Sequence, residues 1–262
     1  MFAVTIRAED QETDLLLAEL QDLGTSGVRE ECGVLIAYFA TERDARLCCA
    51  AYQDREPLLT REDSLDYSAN WQHEWQPFAV GGRFYLAPPW DTSMTPEGRI
   101  RLTMQPGNVF GSGDHPTTQL CLELLEFAIN PGDRVLDVGT GTGILAIASA
   151  HLHARFAAAC DTSPEAIQIA GNQSTISLWH GTTDACRSSA FTAVLANLPT
   201  GALIDILPEI HRVLVRHGRL IASGFFEEQL EEVRSALTAR GFEIAELRER
   251  GDWAALSAIK RR

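Results

Sequence analysis

The alternation of apolar and polar residues predicts a small α+β unit at the start of the chain. Residues 2–8 alternate as expected of a half-buried strand, and an apolar stripe over 15–23 has the spacing of an amphipathic helix. A further strand is predicted over 34–39, and a helix over 41–53 follows it with Thr41 as its N-cap. The pattern indicates the order β-α-β-β-α, which is typical of a ferredoxin-like domain.

From about residue 115 onward, predicted helices and strands alternate. Strands are predicted over 134–138, 156–160, 192–196 and 219–223 with a closing pair over 242–248 and 253–259, and helices over 116–127, 144–153, 164–173, 203–214 and 228–240. Alternating units of this kind build a mostly parallel sheet covered on both faces, with ligands at the carboxyl ends of the strands. We therefore predict an α/β domain, in which the polar segment 177–190 is an irregular loop.

Between these two regions the chain is rich in proline and aromatic residues. The aromatic residues are Trp71, Trp75, Phe78, Phe84, Tyr85 and Trp90. They could pack the join between two domains or line a substrate groove. We predict short strands within residues 55–98, and divide the chain into an N-terminal domain over 1–66, a linker region over 67–98, and a second domain over 99–262.

The charge of the chain argues against nucleic acid as a direct partner. The 22 Lys and Arg residues against 36 Asp and Glu residues give a net charge of −14, which repels phosphate backbones. Residues 1–66 hold 15 of the acidic and 6 of the basic residues, a net charge of −9. A basic protein partner is expected instead.

The cysteine pattern and the hydropathy pattern favour a reducing compartment. Six cysteines contain no C-x-x-C pair, and no histidine stands at zinc-finger spacing, so neither a metal site nor a disulfide framework is expected. No apolar run approaches the roughly 20 residues of a membrane span, and the first residues are too short and polar a stretch for a signal peptide. We expect a cytoplasmic monomer that does not bind membranes.

The strongest local motif is a glycine-rich loop that links a predicted strand to a helix. Gly139, Gly141 and Gly143 follow the apolar strand, and glycines there let the backbone turn tightly and approach a ligand, with helix-terminal N–H groups pointing at it. The segment 141–146 also satisfies the G-x-G-x-x-A pattern of dinucleotide sites. A nicotinamide-dependent dehydrogenase therefore stays open on this motif alone.

Two aspartates beside the loop favour a different cofactor. Asp137 stands two residues before the first glycine, where a carboxylate could face a cationic amino group but would repel a pyrophosphate. Asp161 ends the next predicted strand, where a carboxylate can accept hydrogen bonds from both ribose hydroxyls of an adenosine-containing cofactor. Asp161 could instead be the N-cap of the following helix.

Two segments make a family resemblance specific. The sequence DVGTGTG over 137–143 resembles motif I of class I S-adenosylmethionine-dependent methyltransferases. The sequence PGNVFGSGDHPTT over 106–118 resembles the signature of the ribosomal protein L11 methyltransferase family, whose usual form is PGxAFGTGxHPTT. The resemblance covers about residues 70–260, and the first 66 residues only by architecture. It implies a Rossmann-like, seven-stranded, mostly parallel sheet preceded by a ferredoxin-like domain that recognises the protein substrate.

The resemblance also implies roles for individual residues. Phe110 and Thr118 would touch S-adenosylmethionine, and the glycine loop would cradle its methionine part. Asp161 would bind the ribose. Asn197 would lie beside the transferred methyl group, where its side-chain oxygen and the following backbone carbonyl can accept hydrogen bonds from an amine and orient its lone pair. Asn197 could otherwise be only the residue at a strand-to-helix turn.

Two further residues have alternative interpretations. His115 could act as a general base, or it could have a structural role at a helix start. Asp184, in the polar segment after residue 177, is a candidate for contact with the adenine.

The sequence predicts a protein methyltransferase that uses S-adenosylmethionine. Its expected acceptors are amino groups of ribosomal protein L11, on lysine side chains or at the N-terminus. One alternative is a methyltransferase of the same scaffold that acts on another protein or a small amine, because a fold does not choose its substrate. Another is a non-catalytic module that binds the same cofactor and a protein partner.

Overall fold

The computed structural model describes most of the 262 residues. The described residues are 2–8, 16, 19–20, 23–25, 27–31, 33–61, 76–104, 111, 113–171 and 175–261. The chain divides into two compact units, residues 1–74 and 75–262.

The first unit contains a four-stranded antiparallel sheet. Its elements are strand β1 (Phe2–Arg7), β2 (Gly27–Glu31), β3 (Val34–Phe39), helix α1 (Glu42–Ala51) and β4 (Leu58–Arg61). The strand order β2-β3-β1-β4 is the ferredoxin-like arrangement that the sequence predicts. Helix α1 begins after Thr41, whose hydroxyl accepts a hydrogen bond from the Asp44 amide at 3.2 Å, which confirms the predicted N-cap.

The core of this unit lies between its sheet and its helical residues. Phe39, Leu35 and Ile6 are fully buried, and so is Leu20, which is helical. The predicted helix over 15–23 lies mostly outside the described residues. Strand β4 lies within the segment 55–98, in which the sequence predicts short strands, but the hydrophobic pattern of its four residues is too short to give the bounds of a strand.

The second unit begins with a three-stranded sheet. Its strands are β5 (Phe78–Val80), β6 (Phe84–Ala87) and β7 (Ile100–Thr103). Phe84 is fully buried in the core of this unit, and the Glu126 carboxylate accepts hydrogen bonds from the amides of Gly82 and Arg83 in the β5–β6 turn. Most of the segment predicted as a linker with short strands therefore packs into the second unit.

The second unit is built around a seven-stranded sheet. Its strands are β8 (Arg134–Val138), β9 (Phe156–Asp161), β10 (Ser177–His180), β11 (Phe191–Asn197), β12 (Leu214–Phe226), β13 (Phe242–Arg250) and β14 (Trp253–Lys260). The order across the sheet is β10-β9-β8-β11-β12-β14-β13. The first five strands in this order, β10, β9, β8, β11 and β12, are parallel to one another. Strand β14 is antiparallel to both of its neighbours. The sheet is mostly parallel, as predicted.

Helices cover the two faces of this sheet. They are α2 (Pro116–Ala128), α3 (Ile144–His151), α4 (Pro164–Ala170), α5 (Thr200–Val213) and α6 (Leu230–Ala239). Successive residues of a strand point to opposite faces. Val135 accordingly packs in one core cluster with residues of α2 and α3, and Leu136 packs in the other with residues of α5 and α6.

The predicted elements of this unit agree with the structure except at two strands, β7 and β10, which the sequence did not predict. The segment 177–190, predicted as an irregular loop, contains β10 and a 3-10 turn over Thr183–Ala185. Strand β10 has only four residues, and its burial does not alternate, so the sequence has no period-2 signal there. No helix among the described residues is long and apolar enough to cross a membrane.

Candidate active site

The glycine loop lies at the carboxyl edge of the seven-stranded sheet, directly after β8. Gly139, Gly141 and Gly143 have positive φ angles of 69°, 55° and 85°, which residues other than glycine rarely adopt. A Cβ atom at Gly139 would overlap the Leu198 side chain. The loop therefore requires glycine both for its backbone conformation and for close packing against the end of β11.

The backbone amides of this loop are largely used within the protein. The amides of Gly139 and Thr140 donate to the Cys160 carbonyl at 2.9 and 3.1 Å, and the Gly143 amide donates to the Thr140 carbonyl at 2.9 Å. The Gly141 amide donates to Oδ2 of Asp161 at 2.9 Å. We expected helix-terminal amides to point at a ligand, but these four are engaged by protein atoms, so the loop offers few donors to a phosphate.

The signature segment meets the glycine loop. The Thr142 hydroxyl donates a hydrogen bond to the Gly111 carbonyl at 2.6 Å and is buried. Gly111 has a φ of 106°, and a Cβ atom there would crowd Thr142 Oγ1. These contacts bring together two motifs that are about thirty residues apart in sequence. Phe110, predicted to touch the cofactor, lies outside the described residues.

Asp137 is a buried carboxylate at the end of β8. Its Oδ2 atom accepts a hydrogen bond from the Thr140 hydroxyl at 2.5 Å, whereas Oδ1 is buried and has no hydrogen-bond partner among the described residues. Burial raises the pKa of Asp137 to about 7, although the Thr140 hydroxyl and the Ala146 amide lower it, and the charge of Asp161 raises it further. A cation beside this buried carboxyl group would favour its charged form.

Asp161 lies at the end of β9, where the sequence predicts it. Its two oxygens accept hydrogen bonds from backbone amides, Oδ2 from Gly141 and Oδ1 from Ser163, both at 2.9 Å. Ser163, rather than Asp161, is the N-cap of α4, because its hydroxyl accepts from the Ala166 amide. Each carboxylate oxygen keeps acceptor capacity for a further donor, such as a ribose hydroxyl.

Asn197 ends β11, beside β8 in the sheet. Its side-chain Nδ2 donates to the hydroxyls of Thr117 and Thr118 at 3.3 and 3.4 Å, and its Oδ1 is buried without a hydrogen-bond partner among the described residues. Across all the residues that the structure describes, the buried side-chain nitrogen and oxygen atoms without a hydrogen-bond partner are Asp137 Oδ1, Thr183 Oγ1 and Asn197 Oδ1. Two of the three lie at the ends of adjacent strands, at the predicted site.

His115 has the structural role that the sequence left as one of two alternatives. It is the N-cap of α2, and its Nδ1 accepts from the Thr117 amide at 3.3 Å and lies 2.7 Å from the Thr117 hydroxyl. Burial lowers the pKa of His115, although the charge of Asp114 raises it. Because Nδ1 is an acceptor, the Thr117 hydroxyl donates to it and can itself accept from Asn197.

Several residues of the site could not be singled out from the sequence. Thr117, Thr140 and Thr142 each use a hydroxyl to hold part of the site in place. The repeated threonines of the two motifs were a signal, but nothing in the sequence indicates which partners they contact. Asp184, the candidate adenine contact, is exposed in the 3-10 turn after β10. Among the described residues, no group of His, Cys, Asp or Glu side chains is placed to hold a metal ion.

The fold and this edge of the sheet define a class of protein. Counted along the chain, the seven strands lie in the order third, second, first, fourth, fifth, seventh, sixth, with the seventh reversed. Together with a glycine loop after the first strand and an acidic residue after the second, this is the architecture of class I methyltransferases. A family model described as Ribosomal protein L11 methyltransferase (PrmA) matches residues 2–261. The chain belongs to the ribosomal protein L11 methyltransferase family.

Individual relatives agree with this assignment. A protein named Ribosomal protein L11 methyltransferase from Desulforamulus reducens is 36% identical in an alignment 201 residues long, which covers 74% of this chain and 65%, just under two thirds, of that protein. One of the same name from Heliobacterium modesticaldum is 30% identical in an alignment 272 positions long, gaps included, which covers 95% of this chain and 84% of that protein. The crystal structure of ribosomal protein L11 methylase from Lactobacillus delbrueckii subsp. bulgaricus superposes with a TM-score of 0.66 at 28% identity, covering 72% of this chain and 100% of that one.

Proposed function

We propose that this protein transfers methyl groups from S-adenosylmethionine to amino groups of ribosomal protein L11, on lysine side chains or at the N-terminus. The observation that carries the proposal is a pair of buried oxygens, Asp137 Oδ1 and Asn197 Oδ1, which lie at the ends of adjacent strands and have no hydrogen-bond partner among the residues that the structure describes. An unpartnered buried acceptor is costly unless a ligand completes it. The two atoms suit a cationic cofactor and an amine acceptor, respectively.

The residues beside the glycine loop fit S-adenosylmethionine better than a dinucleotide. Asp137 would face the α-amino group of the cofactor, and Asp161 would accept from its ribose hydroxyls. The glycine loop and Leu198 would enclose its methionine part, since no side chain fits at Gly139. A pyrophosphate would meet the Asp137 carboxylate and a loop whose amides already have acceptors.

When bound, S-adenosylmethionine supplies an electrophilic methyl group on sulfur. The contribution of the chain is positioning: Asn197 Oδ1 accepts a hydrogen bond from the acceptor amine and directs its lone pair, while Thr117 and Thr118 hold the amide in that orientation. Lysine, with an ordinary pKa near 10.4, must lose a proton first. His115 Nδ1 is occupied by Thr117, so proton loss to bulk water before docking is the simplest route.

The N-terminal domain would recognise the protein substrate. Its predicted extent, residues 1–66, has a net charge of −9, which would steer a basic ribosomal protein toward the enzyme. Such steering increases the association rate and weakens as salt is added. We expect the enzyme to act as a monomer in the cytoplasm.

The experiment that tests this proposal follows labelled methyl groups into purified ribosomal protein L11, with cofactor binding measured separately by calorimetry. Wild type is expected to label the protein, and Asn197→Ala to bind the cofactor without labelling. Asn130→Ala is the matched control, because Asn130 is exposed in the turn before β8 and should label normally. If the protein binds the cofactor but does not label ribosomal protein L11, the assignment of that acceptor is wrong. Label in another protein or in a small amine would then identify the acceptor. Failure to bind the cofactor, or tighter binding of NAD, would overturn the proposal altogether.

A further inference from the structure

A stack of three aromatic rings extends from the candidate catalytic asparagine to the protein surface. The His115 ring lies 4.8 Å from the Trp253 ring, edge on at 71°, and the Trp253 ring is stacked 4.1 Å from Phe226. His115 in turn contacts Thr117, whose hydroxyl accepts from Asn197. The rings therefore form a continuous path of contacts from Asn197 to Phe226, which is 43% exposed. The mechanism proposed above makes no use of Trp253 or Phe226.

The outer end of this stack is held rigidly. Phe226 and Trp253 are directly opposite each other on the antiparallel strands β12 and β14. The Phe226 amide donates to Oε1 of Gln229 at 3.0 Å, and that same oxygen accepts from the Thr200 hydroxyl at 2.8 Å. The next amide, of Glu227, donates to the Asp252 carbonyl at 2.8 Å. An exposed ring with this many backbone anchors is preorganised for binding, because little further freedom is lost when a ligand arrives.

The surroundings of the stack are acidic. Four exposed carboxylates adjoin the rings in sequence: Asp114, Glu227, Glu228 and Asp252. Arg250, at the end of β13 and directly opposite Trp253, pairs with Glu123 at 2.6 Å and also donates to Gln119. The local charge therefore attracts a cation, and the faces of electron-rich rings attract one too.

We propose that His115, Trp253 and Phe226 form a subsite that binds the alkylammonium end of the acceptor side chain, before proton loss and after methylation. The aliphatic part of such a side chain packs along the rings, and its ammonium or methylammonium group lies over a ring face with the carboxylates around it. The occupant rests on the proposed function, since an amine acceptor is what that function requires. The ring geometry does not depend on it.

The test uses two probes that differ only in charge. One is Nα-acetyl-Nε-trimethyl-lysine methylamide, and the other is its neutral isostere with carbon in place of the ammonium nitrogen. Wild type, full length, is expected to bind the charged probe about two- to five-fold more tightly in an NMR titration, which is the usual range for an exposed cation–π contact. Phe226→Leu is expected to remove this preference. Equal binding of the two probes by wild type would overturn the proposal.

Phe156→Leu is the matched control. Phe156 is 42% exposed and stacked on Phe191, but it is the first residue of β9 and therefore lies at the amino edge of the sheet. This variant is expected to keep the preference for the charged probe. If Phe226→Leu keeps the preference as well, or if Phe156→Leu also loses it, the stack is not the subsite.

The outcome is separable from that of the proposed function. Neither probe needs cofactor or methyl transfer, so loss of the charge preference would overturn the subsite while labelling of ribosomal protein L11 would still stand. In the labelling assay, Phe226→Leu is expected to raise KM for the protein acceptor and to leave cofactor affinity unchanged. A lower kcat at unchanged KM would contradict the assigned role.

Discussion

The side-chain nitrogen Nδ2 of Asn197 lies 3.3 Å from the hydroxyl of Thr117, a residue 80 positions earlier in the chain. The same hydroxyl lies 2.7 Å from Nδ1 of His115. Because a neutral Nδ1 accepts and a hydroxyl donates once, the direction of these bonds is fixed from Asn197 through Thr117 to His115. The start of α2 thereby orients the side chain that is expected to direct the lone pair of the acceptor amine.

Thr117→Val is expected to lower kcat about 10- to 100-fold, since valine has the same shape but cannot accept from Asn197 and reacting groups tolerate little misplacement. The dissociation constant of S-adenosylmethionine should stay within about twofold of wild type, because Thr117 acts through Asn197. Single-turnover kinetics and calorimetry would measure the two effects. Thr117→Ser restores the hydroxyl and should recover most of the rate; a valine variant with normal kcat would show that Asn197 needs no such support.

Asp137 is expected to couple cofactor binding to proton release. Burial raises the pKa of its carboxyl to about 7, and the cationic amino group of the cofactor would lower that pKa by favouring the charged carboxylate. With the bound pKa well below 6, binding should release about 0.9 proton at pH 6 and about 0.1 at pH 8. Affinity should accordingly rise with pH and level off above about pH 7.

The proton count is measured by titration calorimetry in buffers of different ionisation enthalpy. Asp137→Asn keeps the shape of the side chain and removes the titrating group, so its binding enthalpy should not depend on the buffer at either pH. A wild-type enthalpy that is equally independent of buffer at pH 6 would show that Asp137 is already ionised in the free protein.

Asp161 is expected to act in two ways, by holding the glycine loop and by binding the ribose. It already accepts from the amides of Gly141 and Ser163, so Asp161→Asn should weaken cofactor binding even if no hydroxyl were recognised. A cofactor analogue without the ribose hydroxyls separates the two effects. If Asp161 binds the hydroxyls, wild type should lose affinity for the analogue, by about tenfold or more, whereas Asp161→Asn should discriminate little.

If wild type and Asp161→Asn discriminate equally between the cofactor and the analogue, Asp161 holds the glycine loop but does not bind the ribose hydroxyls. Asp184→Asn is the comparison variant, because Asp184 is also acidic and lies after the next strand of the sheet. If it contacts the adenine, it should weaken binding of the cofactor and of the analogue by the same factor.

The predicted positions of the site residues depended on the regular part of the fold. Asp137, Asp161 and Asn197 end parallel strands, and the strand–helix alternation suffices to place such residues at one edge of a sheet. Strongly patterned elements such as β8 were predicted to the residue. Strands β7 and β10, at four residues each, were missed because their pairing energy comes from neighbouring strands and four residues carry too little periodic signal.

The hydrogen bonds within the site could not be predicted. The Thr117–Asn197 contact joins residues brought together only by tertiary packing. The glycine pattern indicated a ligand loop, but the use of its amides by Cys160 and Asp161 depends on how the ends of β8 and β9 meet. Whether the loop amides are free or already hydrogen-bonded changes the ligand that the loop favours, because free amides favour a phosphate and occupied ones do not.

Gly224 is expected to be more sensitive to substitution than its backbone angle alone would make it. It has a φ of 94° at an irregularity in the pairing of β12 with β14, and a Cβ atom there would overlap the backbone of Leu198, next to Asn197. Gly132 has almost the same φ, 97°, but open space around the Cβ position. Gly132→Ala should therefore cost about 1–2 kcal/mol of unfolding free energy from conformation alone, and Gly224→Ala clearly more. Chemical denaturation measures both. The larger loss of stability in Gly224→Ala should be accompanied by loss of methyl transfer, because displacing Leu198 moves Asn197. Equal losses of unfolding free energy in the two variants would mean that the backbone at Leu198 accommodates the methyl group without destabilising the protein.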